Sequence, residues 1–435
     1  MVENKIVEKI KLFYFMIVAV MMYFFITQVI DLGLHVTYRH AFALVLVASA
    51  FADFLIKPNI ARGITSFNCA FVYSAPLAVT TAVSLFVWFM NTVGTDVILR
   101  GLSTTFIYTN MFSCALCAGA FLYFFGEKGI WYNLCAILAA NILMILTIIA
   151  EYGIGSYFSE FITLIVTFAG TTGDIIIQAE VHELAFCLGA YMIYMLLKPQ
   201  KKIAYYILLA LALFCFLSAF KRIAIIAIVI ALAFGYFLKF VAKYSERSAR
   251  TLLVVLSVML VLILLGYIGI IKLDAFEYLE EAGVETSGRV EVYNAVDEFY
   301  DFSPEFLGNG IGFLTYKLNT DMNVGVASVH NDFLQHFIDL GFFGYIFWLL
   351  SMILMRVWYF GRKGRTENAI IAFVLAVYLV IVSSTDNTMN YPLLTGVIAI
   401  LMMGCDYDGR VREREMKMFG YVSDVNKEKE GGTIL

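Results

Sequence analysis

Charged residues and prolines are scarce in this sequence of 435 residues. Asp, Glu, Lys and Arg together make up only 15% of it, and there are 5 prolines. So low a charge content argues against a soluble globular domain, in which about 25% of residues are charged. Hydrophobic residues account for 61%, and the mean hydropathy is +0.84. The sequence therefore predicts an all-α polytopic membrane protein.

No Pro-rich or Ser-rich linker and no internal repeat divides the chain, so we predict one transmembrane domain over residues 1–405 and a charged cytoplasmic tail over 406–435. The 7 cysteines all lie in or beside apolar segments, so no disulfide framework is implied. Cys114 and Cys117 form a CxxC, which we interpret as buried apolar side chains rather than a metal or redox site. The N-terminus carries no small-residue cleavage site typical of a signal peptide.

Long apolar runs fill most of the sequence. Twelve of them reach or approach the roughly 20 residues that a helix needs to cross a bilayer: 12–30, 40–56, 64–90, 101–125, 130–150, 184–197, 203–220, 223–241, 251–271, 338–354, 369–384 and 392–404. The run 184–197 is short, and the FSEFITLIVTF that precedes it is typical of an interfacial or re-entrant helix. We predict about twelve transmembrane helices.

Lysine and arginine test this count, because cytoplasmic loops carry an excess of both. With the N-terminus inside, 23 of the 30 fall on the inner side, and the outer side holds Arg39, Arg100, Lys221, Arg222, Lys272, Arg289 and Lys317. We therefore predict that both termini are cytoplasmic. The long polar loop before the tenth span, residues 272–335, is then extracytoplasmic. We expect the tail to be mobile.

The loop 272–335 contains twelve acidic residues but only three lysines or arginines. Arg289 is one of these cations, and it begins a predicted amphipathic helix with Ser287 as N-cap. Val292, Val296 and Phe299 share one face of that helix. Arg289 either pairs with a nearby carboxylate or binds an external anion. Lys221 and Arg222 lie at a tight outer turn, where they either snorkel to lipid head groups or meet an anion.

Gly308, Gly310 and Gly312 lie in LGNGIGF, which no β-strand precedes. A turn that lets the backbone pass close to another element is therefore favoured over a phosphate-binding loop. His330 lies where the loop meets the next apolar helix, a place that gives an acid or base both solvent access and a fixed orientation. A polar cap at the membrane interface is the alternative. His336, six residues on, is expected to point elsewhere.

Together these elements resemble the bacterial O-antigen ligase and polymerase superfamily. The resemblance is carried by the Lys221-Arg222 pair after an apolar span, SGR ending at Arg289, LGNGIGF, and HNDFLQHFIDLGFFG from His330 onward. It implies a helical arrangement like that of GT-C membrane glycosyltransferases. It also implies an inverting, metal-independent enzyme without cofactors that uses undecaprenyl-diphosphate-linked sugars.

The resemblance further implies roles for single residues. Arg222 and Arg289 would bind the diphosphate, His330 would serve near the acceptor, and Asn331 and Asp332 are secondary candidates. Lys221 adjoins Arg222, so either cation is a candidate for the diphosphate. The residue types suit the chemistry, because arginine forks bind phosphate oxygens and histidine accepts protons near neutral pH. The loop contains no aspartate cluster with metal-ligand spacing.

We expect an O-antigen or capsular polysaccharide polymerase at the outer face of the bacterial inner (plasma) membrane. A ligase that transfers the glycan to lipid A core or another acceptor, a lipid-linked polysaccharide flippase and a scaffold without catalysis are the alternatives. The expected partners are the undecaprenyl-diphosphate-linked glycan, membrane lipids, a chain-length regulator and a flippase, and no nucleic acid.

Overall fold

The structure is a computed structural model that describes residues 2–26, 35–90, 113–167, 182–219, 221–283, 288–320, 329–362, 365–388 and 391–419. Within these ranges every regular element is a helix. In chain order the helices are α1 (Val2–Ile26), α2 (His35–Ile56), α3 (Ile60–Tyr73), α4 (Ala75–Met90), α5 (Ser113–Phe125), α6 (Lys128–Tyr152), α7 (Ile154–Thr167), α8 (His182–Leu197), α9 (Ile203–Ser218), α10 (Arg222–Tyr244), α11 (Glu246–Lys272), α12 (Ala275–Glu281), α13 (Arg289–Val296), α14 (Phe313–Thr320), α15 (Asp332–Gly361), α16 (Thr366–Ser383), α17 (Pro392–Gly404) and α18 (Tyr407–Phe419).

The prediction of an all-helical membrane protein is confirmed. Among the described residues, 5 helices are long and apolar enough to cross a membrane, namely α6, α10, α11, α15 and α16, or up to 6 if the bent pair α3 and α4 is one span. Each predicted apolar run falls on a helix wherever the structure describes it. The count of twelve spans stays a prediction. The FSEFITLIVTF segment forms most of α7, a separate helix that follows α6 after Gly153.

The break between α3 and α4 bends the chain by 50°. Arg356 of α15 stabilises it, because its guanidinium lies 3.9 Å from the Tyr73 ring centroid and its Nε donates to the Tyr73 carbonyl at 3.0 Å. A buried cation suits this position, since the carboxyl end of a helix is the negative end of its dipole. The bend directs α4 toward the polar loop, where Ser84 Oγ accepts a hydrogen bond from the Ile311 N–H at 3.0 Å.

The centre of the bundle is α16, which is buried along almost its whole length. It packs against α8, α10 and α17. Both α10 and α17 also contact α8. The ends of α8, α10, α16 and α17, joined by the ends of α11 and α15, meet on the side of the bundle that carries the polar loop. This rigid set of helix ends positions the candidate site.

The polar loop has a hydrophobic core of its own. Val292 and Val296 of α13 pack with Phe333 and Phe337 of α15 and with the last turns of α11. The predicted amphipathic helix is therefore confirmed, although it ends at Val296 and a short 3₁₀ turn continues it to Phe299. Its N-cap is Gly288, with φ of 71°, whereas the predicted N-cap Ser287 lies outside the described residues. Because α13 rests on two long helices, Arg289 is held in a fixed place.

The LGNGIGF segment crosses α15 at a kink. Gly341 has φ of 69° inside α15, and a Cβ on Gly308 would lie 2.4 Å from the Gly341 nitrogen. The Gly310 N–H donates to the Asp339 carbonyl at 2.7 Å, and the Gly312 N–H donates to the Asp339 carboxylate at 3.2 Å. The predicted close passage of the backbone is confirmed, and it holds the loop against the start of α15.

The first part of the charged tail is a helix, α18, rather than a mobile segment. Tyr407 is fully buried and donates to the Arg62 carbonyl at 3.1 Å. Arg410 is also buried, and its guanidinium donates to the Phe360 carbonyl at 3.0 Å. These contacts tie the tail to the start of α3 and to the end of α15, where the Phe360 carbonyl is among the last carbonyls of the helix. Residues 420–435 lie outside the described residues.

Candidate functional site

Asp386, in the segment between α16 and α17, gathers several groups at one end of the bundle. Lys221 Nζ lies 3.3 Å from Asp386 Oδ2, and His330 Nδ1 lies 3.8 Å from Asp386 Oδ1. The Tyr391 hydroxyl donates to Oδ1 at 3.0 Å, and the Asn387 N–H donates to the same atom at 2.8 Å. We call these side chains, Asp386, Lys221, His330 and Tyr391, the Asp386 cluster.

The Asp386 carboxylate is charged although its side chain is only 9% exposed. Burial by itself raises the pKa of a carboxyl group. The nearby His330 imidazole, the positive charge of Lys221, the Asn387 N–H and the Tyr391 hydroxyl together outweigh burial, and the pKa of Asp386 is lowered below its ordinary value. The carboxylate is thus a fixed negative charge that orients the groups around it.

His330 is held at the rim of the cluster by an unusual backbone. Its φ is 50°, a left-handed conformation that few residues other than glycine adopt. It immediately precedes Asn331, the N-cap of α15. The His330 side chain remains 53% exposed while Nδ1 faces Asp386. An imidazole in this position has a fixed orientation and access to solvent, which is the combination expected of a proton acceptor.

The secondary candidates Asn331 and Asp332 are both fully buried. The Asn331 side chain accepts from the backbone N–H groups of Phe333 and Leu334, and its Nδ2 donates to the hydroxyls of Tyr267 and Tyr293 at 3.0 Å each. These contacts tie the start of α15 to α11 and α13. Asn331 therefore positions His330 and is not itself at the surface of the site.

Arg289 reaches the same segment from α13. Its Nη2 donates to the carbonyl oxygen of Thr385, the residue before Asp386, at 2.9 Å. Among the described residues Arg289 has no ion pair with a carboxylate. The side chain is half-buried, so part of the guanidinium remains accessible. Arg289 thus lies beside the Asp386 cluster.

Lys221 and Arg222 have different surroundings despite being neighbours. Lys221 forms an ion pair with Asp386, and its Nζ also lies 5.9 Å from the Phe186 ring centroid. Arg222 is the first residue of α10 and is exposed, and it makes no hydrogen bond or ion pair within the described part of the chain. Lys221 therefore belongs to the internal charge network, whereas the Arg222 guanidinium is available to a ligand.

His336 differs from His330 in its burial and in its contacts. It is buried, its ring stacks on Trp348 with centroids 4.1 Å apart, and its Nδ1 lies 2.7 Å from the Asp332 carbonyl oxygen. The expectation that it points away from the loop junction is confirmed. Only one of the two histidines near this junction lies in the Asp386 cluster.

Sequence analysis missed Asp386 and Tyr391. A signal for Asp386 exists, since it is the only charged residue between Glu367 and Asp406 and lies in a predicted outer loop. A lone carboxylate between two membrane helices has a high desolvation cost unless cations pair with it. Among the described residues no three His, Cys, Asp or Glu side chains are grouped as metal ligands. That the site needs no metal stays a prediction.

Comparison with known proteins concerns the part of the chain that supplies these groups. Residues 207–349 match a family model described as O-antigen ligase. The match begins in α9, ends in α15 and contains Lys221, Arg222, Arg289 and His330, while Asp386 lies beyond it. A search of curated proteins finds no match. The match over residues 207–349 supports the resemblance of this part of the chain to the O-antigen ligase and polymerase superfamily.

Proposed function

We propose that the protein is a polymerase that joins oligosaccharide repeat units carried on undecaprenyl diphosphate. The observation that carries this proposal is the meeting of Lys221 and His330 on Asp386, with Arg289 bound to the neighbouring Thr385 carbonyl. Cations suited to a diphosphate and an imidazole suited to a hydroxyl thus lie at one helix-end surface. The match of residues 207–349 to a family model described as O-antigen ligase supports glycosyl transfer as the general activity.

The surroundings of Arg222 favour a donor with a lipid tail. Ile226, Val229 and Ile230 follow on the same face of α10 and are 49%, 63% and 38% exposed. A guanidinium thus stands above an exposed apolar stripe, which matches a diphosphate joined to a polyprenyl chain. The first turn of α10 has no side-chain cap, so its N–H groups and dipole also favour an anion there.

The chemistry of the leaving group explains the need for two arginines. When the bond between the anomeric carbon and the diphosphate oxygen breaks, negative charge builds on that oxygen. Arg222 and Arg289 would stabilise this charge, because a guanidinium binds two phosphate oxygens at once and does not lose its proton. Such stabilisation accelerates the reaction only if it is stronger in the transition state than in the bound substrate.

The acceptor hydroxyl must lose its proton as its oxygen attacks the anomeric carbon. His330 would take this proton on Nε2, because Nδ1 faces Asp386. The Asp386 carboxylate would hold the imidazole in this tautomer and stabilise the imidazolium that forms, the logic of other carboxylate-histidine pairs. The attack from the side opposite the leaving diphosphate would invert the anomeric configuration.

The rest of the proposal concerns the setting of the reaction. We place the site at the extracytoplasmic face of the bacterial inner membrane, with twelve spans arranged as in GT-C glycosyltransferases and both termini in the cytoplasm. The support for this orientation is the distribution of lysine and arginine along the sequence. A flippase that delivers the lipid-linked repeat unit and a chain-length regulator are the proposed partners.

A ligase is the second candidate, because the matching family model is described as O-antigen ligase. Both enzymes would use the same donor and the same residues and differ in what presents the hydroxyl. The purified protein should be incubated with lipid-linked repeat units, with and without lipid A core. A ladder of glycan lengths supports the polymerase, whereas a single transfer that requires lipid A core supports the ligase. His330→Ala should abolish either product, and uptake of lipid-linked sugar into liposomes that persists in His330→Ala contradicts both.

A further inference from the structure

A second feature lies at the opposite end of the bundle from the Asp386 cluster. A groove of about 690 Å³ runs between the first turns of α11 and the last turns of α15. Val254, Leu354 and Trp358 are among its mainly apolar lining. Arg250 lines this groove, and Tyr267 of the same helix touches Asn331 and the Ser384 carbonyl. Seventeen residues of α-helix separate the two, which is about 26 Å, close to the thickness of a bilayer core.

Two guanidinium groups stand at the mouth of the groove. Arg362 is exposed and lies 4.1 Å from the Tyr359 ring centroid. Arg250 donates to Thr366 Oγ1 at 2.8 Å and to Glu246 Oε2 at 3.2 Å, so one carboxylate already offsets part of its charge. Arg362 has no such carboxylate among the described residues. The mouth therefore keeps a net positive charge beside an apolar wall.

The wall itself departs from regular helix. Residues Ser351–Met355 of α15 form a π-helical turn, and Ser351, Leu354 and Met355 line the groove. A π-helical turn widens a helix at a cost in hydrogen-bond geometry, and such turns are frequent at functional sites. Trp358, one turn further, is 65% exposed, as expected of an aromatic ring at the level of lipid head groups.

We propose that this groove binds an anionic glycerophospholipid, with an acyl chain along the apolar wall and the phosphate between Arg250 and Arg362. The prediction that this end of the bundle is cytoplasmic supports the choice, because anionic lipids and basic side chains attract each other at that surface. The proposal does not depend on the reaction at the Asp386 cluster. It adds a lipid site to the far halves of α11, which carries Tyr267, and of α15, which follows His330.

Quenching of Trp358 fluorescence by brominated lipids tests the site directly. The full-length protein is placed in nanodiscs of phosphatidylcholine containing increasing fractions of dibrominated phosphatidylglycerol or, separately, dibrominated phosphatidylcholine. We expect half-maximal quenching at an about fivefold lower fraction of phosphatidylglycerol, the preference that one basic side chain at a membrane surface confers. Trp358→Phe should remove this component of the quenching.

Matched variants separate the groove from the general lipid surface. Arg362→Gln should abolish the preference, whereas Arg247→Gln, an exposed arginine of α11 that does not line the groove, should keep it. Val254→Phe narrows the groove without adding a second fluorophore and should reduce the quenching of Trp358, while Val255→Phe on the neighbouring face should not. Equal quenching by both lipids in the unaltered protein overturns the proposal. The proposal is also overturned if a polyprenyl phosphate relieves the quenching by dibrominated phosphatidylglycerol at lower fractions than unbrominated phosphatidylglycerol does.

Discussion

Lys221 and His330 lie on different oxygens of one carboxylate, that of Asp386, with Nζ 3.3 Å from Oδ2 and Nδ1 3.8 Å from Oδ1. The three residues come from the start of α10, the start of α15 and the connection between α16 and α17. A single buried charge thus fixes a cation and an imidazole that the chain brings from distant positions. Removal of that charge is expected to disturb both.

Asp386→Asn should lower kcat by roughly 10²-fold, the lower end of what a general base contributes. Asparagine keeps the size of the side chain but offers His330 an uncharged partner and loses the ion pair with Lys221. The rate of glycan elongation by purified protein measures the effect. Asp301→Asn, which changes an exposed carboxylate in the polar loop, is the control and should leave the rate unchanged. Equal rates for the unaltered protein and Asp386→Asn contradict a role in orientation.

The lowered pKa of Asp386 predicts how stability depends on pH. The ordinary pKa of the group is 3.8, and in the folded protein it is lower. Ionised Asp386 therefore stabilises the folded state fully above about pH 4, and this contribution is lost as pH falls toward the folded pKa.

Thermal unfolding of the unaltered protein and of Asp386→Asn between pH 3 and pH 8 tests this sign. The difference between their unfolding midpoints should be constant near neutral pH and should shrink below about pH 4. A difference that grows on acidification is the opposite result, and it means that the folded protein raises the pKa of Asp386.

Arg222→Lys should raise the KM for the lipid-linked donor about tenfold, which corresponds to about 1.4 kcal/mol. Lysine keeps the charge but loses the second hydrogen bond of the guanidinium fork. Lys221→Arg is the matched control, because Lys221 serves Asp386 as a positive charge and arginine can do the same. A larger rise in KM for Lys221→Arg than for Arg222→Lys assigns the diphosphate to Lys221 instead.

Arg289→Lys should lower kcat by roughly 10²-fold, the size of the loss when one preorganised donor is removed from a transition state. The change preserves charge while removing the fork and the hydrogen bond to the Thr385 carbonyl. Single-turnover rates with bound donor measure the chemical step apart from binding. Glu291→Gln, an exposed change on the same helix, is the control, and full activity of Arg289→Lys argues against a diphosphate contact.

The sequence predicted the helices, the amphipathic helix that begins at Arg289 and the place of His330 where the loop meets an apolar helix. These features are predictable because periodicity and apolar run length depend on local residues. The sequence did not predict that Asp386 joins Lys221 and His330, because that contact depends on how three distant helix ends pack. Nor did the sequence predict that Lys221 is paired with Asp386 while Arg222 is exposed. Adjacent cations look alike in a sequence, and only the direction of each side chain shows that one is already paired.

The tail shows the same limit. Its charge predicted mobility, yet Tyr407 and Arg410 are buried against α3 and the end of α15. An arginine that donates to carbonyl oxygens at helix ends is stabilised by acceptors that no local pattern reveals.

Gly308→Ala should destabilise the protein by several kcal/mol, a loss typical of a severe backbone clash. A Cβ there would lie 2.4 Å from the Gly341 nitrogen and 2.7 Å from the Asp339 carbonyl oxygen, and no side chain rotation relieves a clash with backbone. Gly283→Ala is the matched control, because its φ of 83° is equally unfavourable for alanine but nothing lies within 4 Å of the added Cβ. Gly283→Ala should lower the free energy of unfolding by only about 1–2 kcal/mol. Thermal unfolding midpoints and membrane protein levels measure both variants, and equal losses mean that the close approach of Gly308 to the kink of α15 contributes nothing.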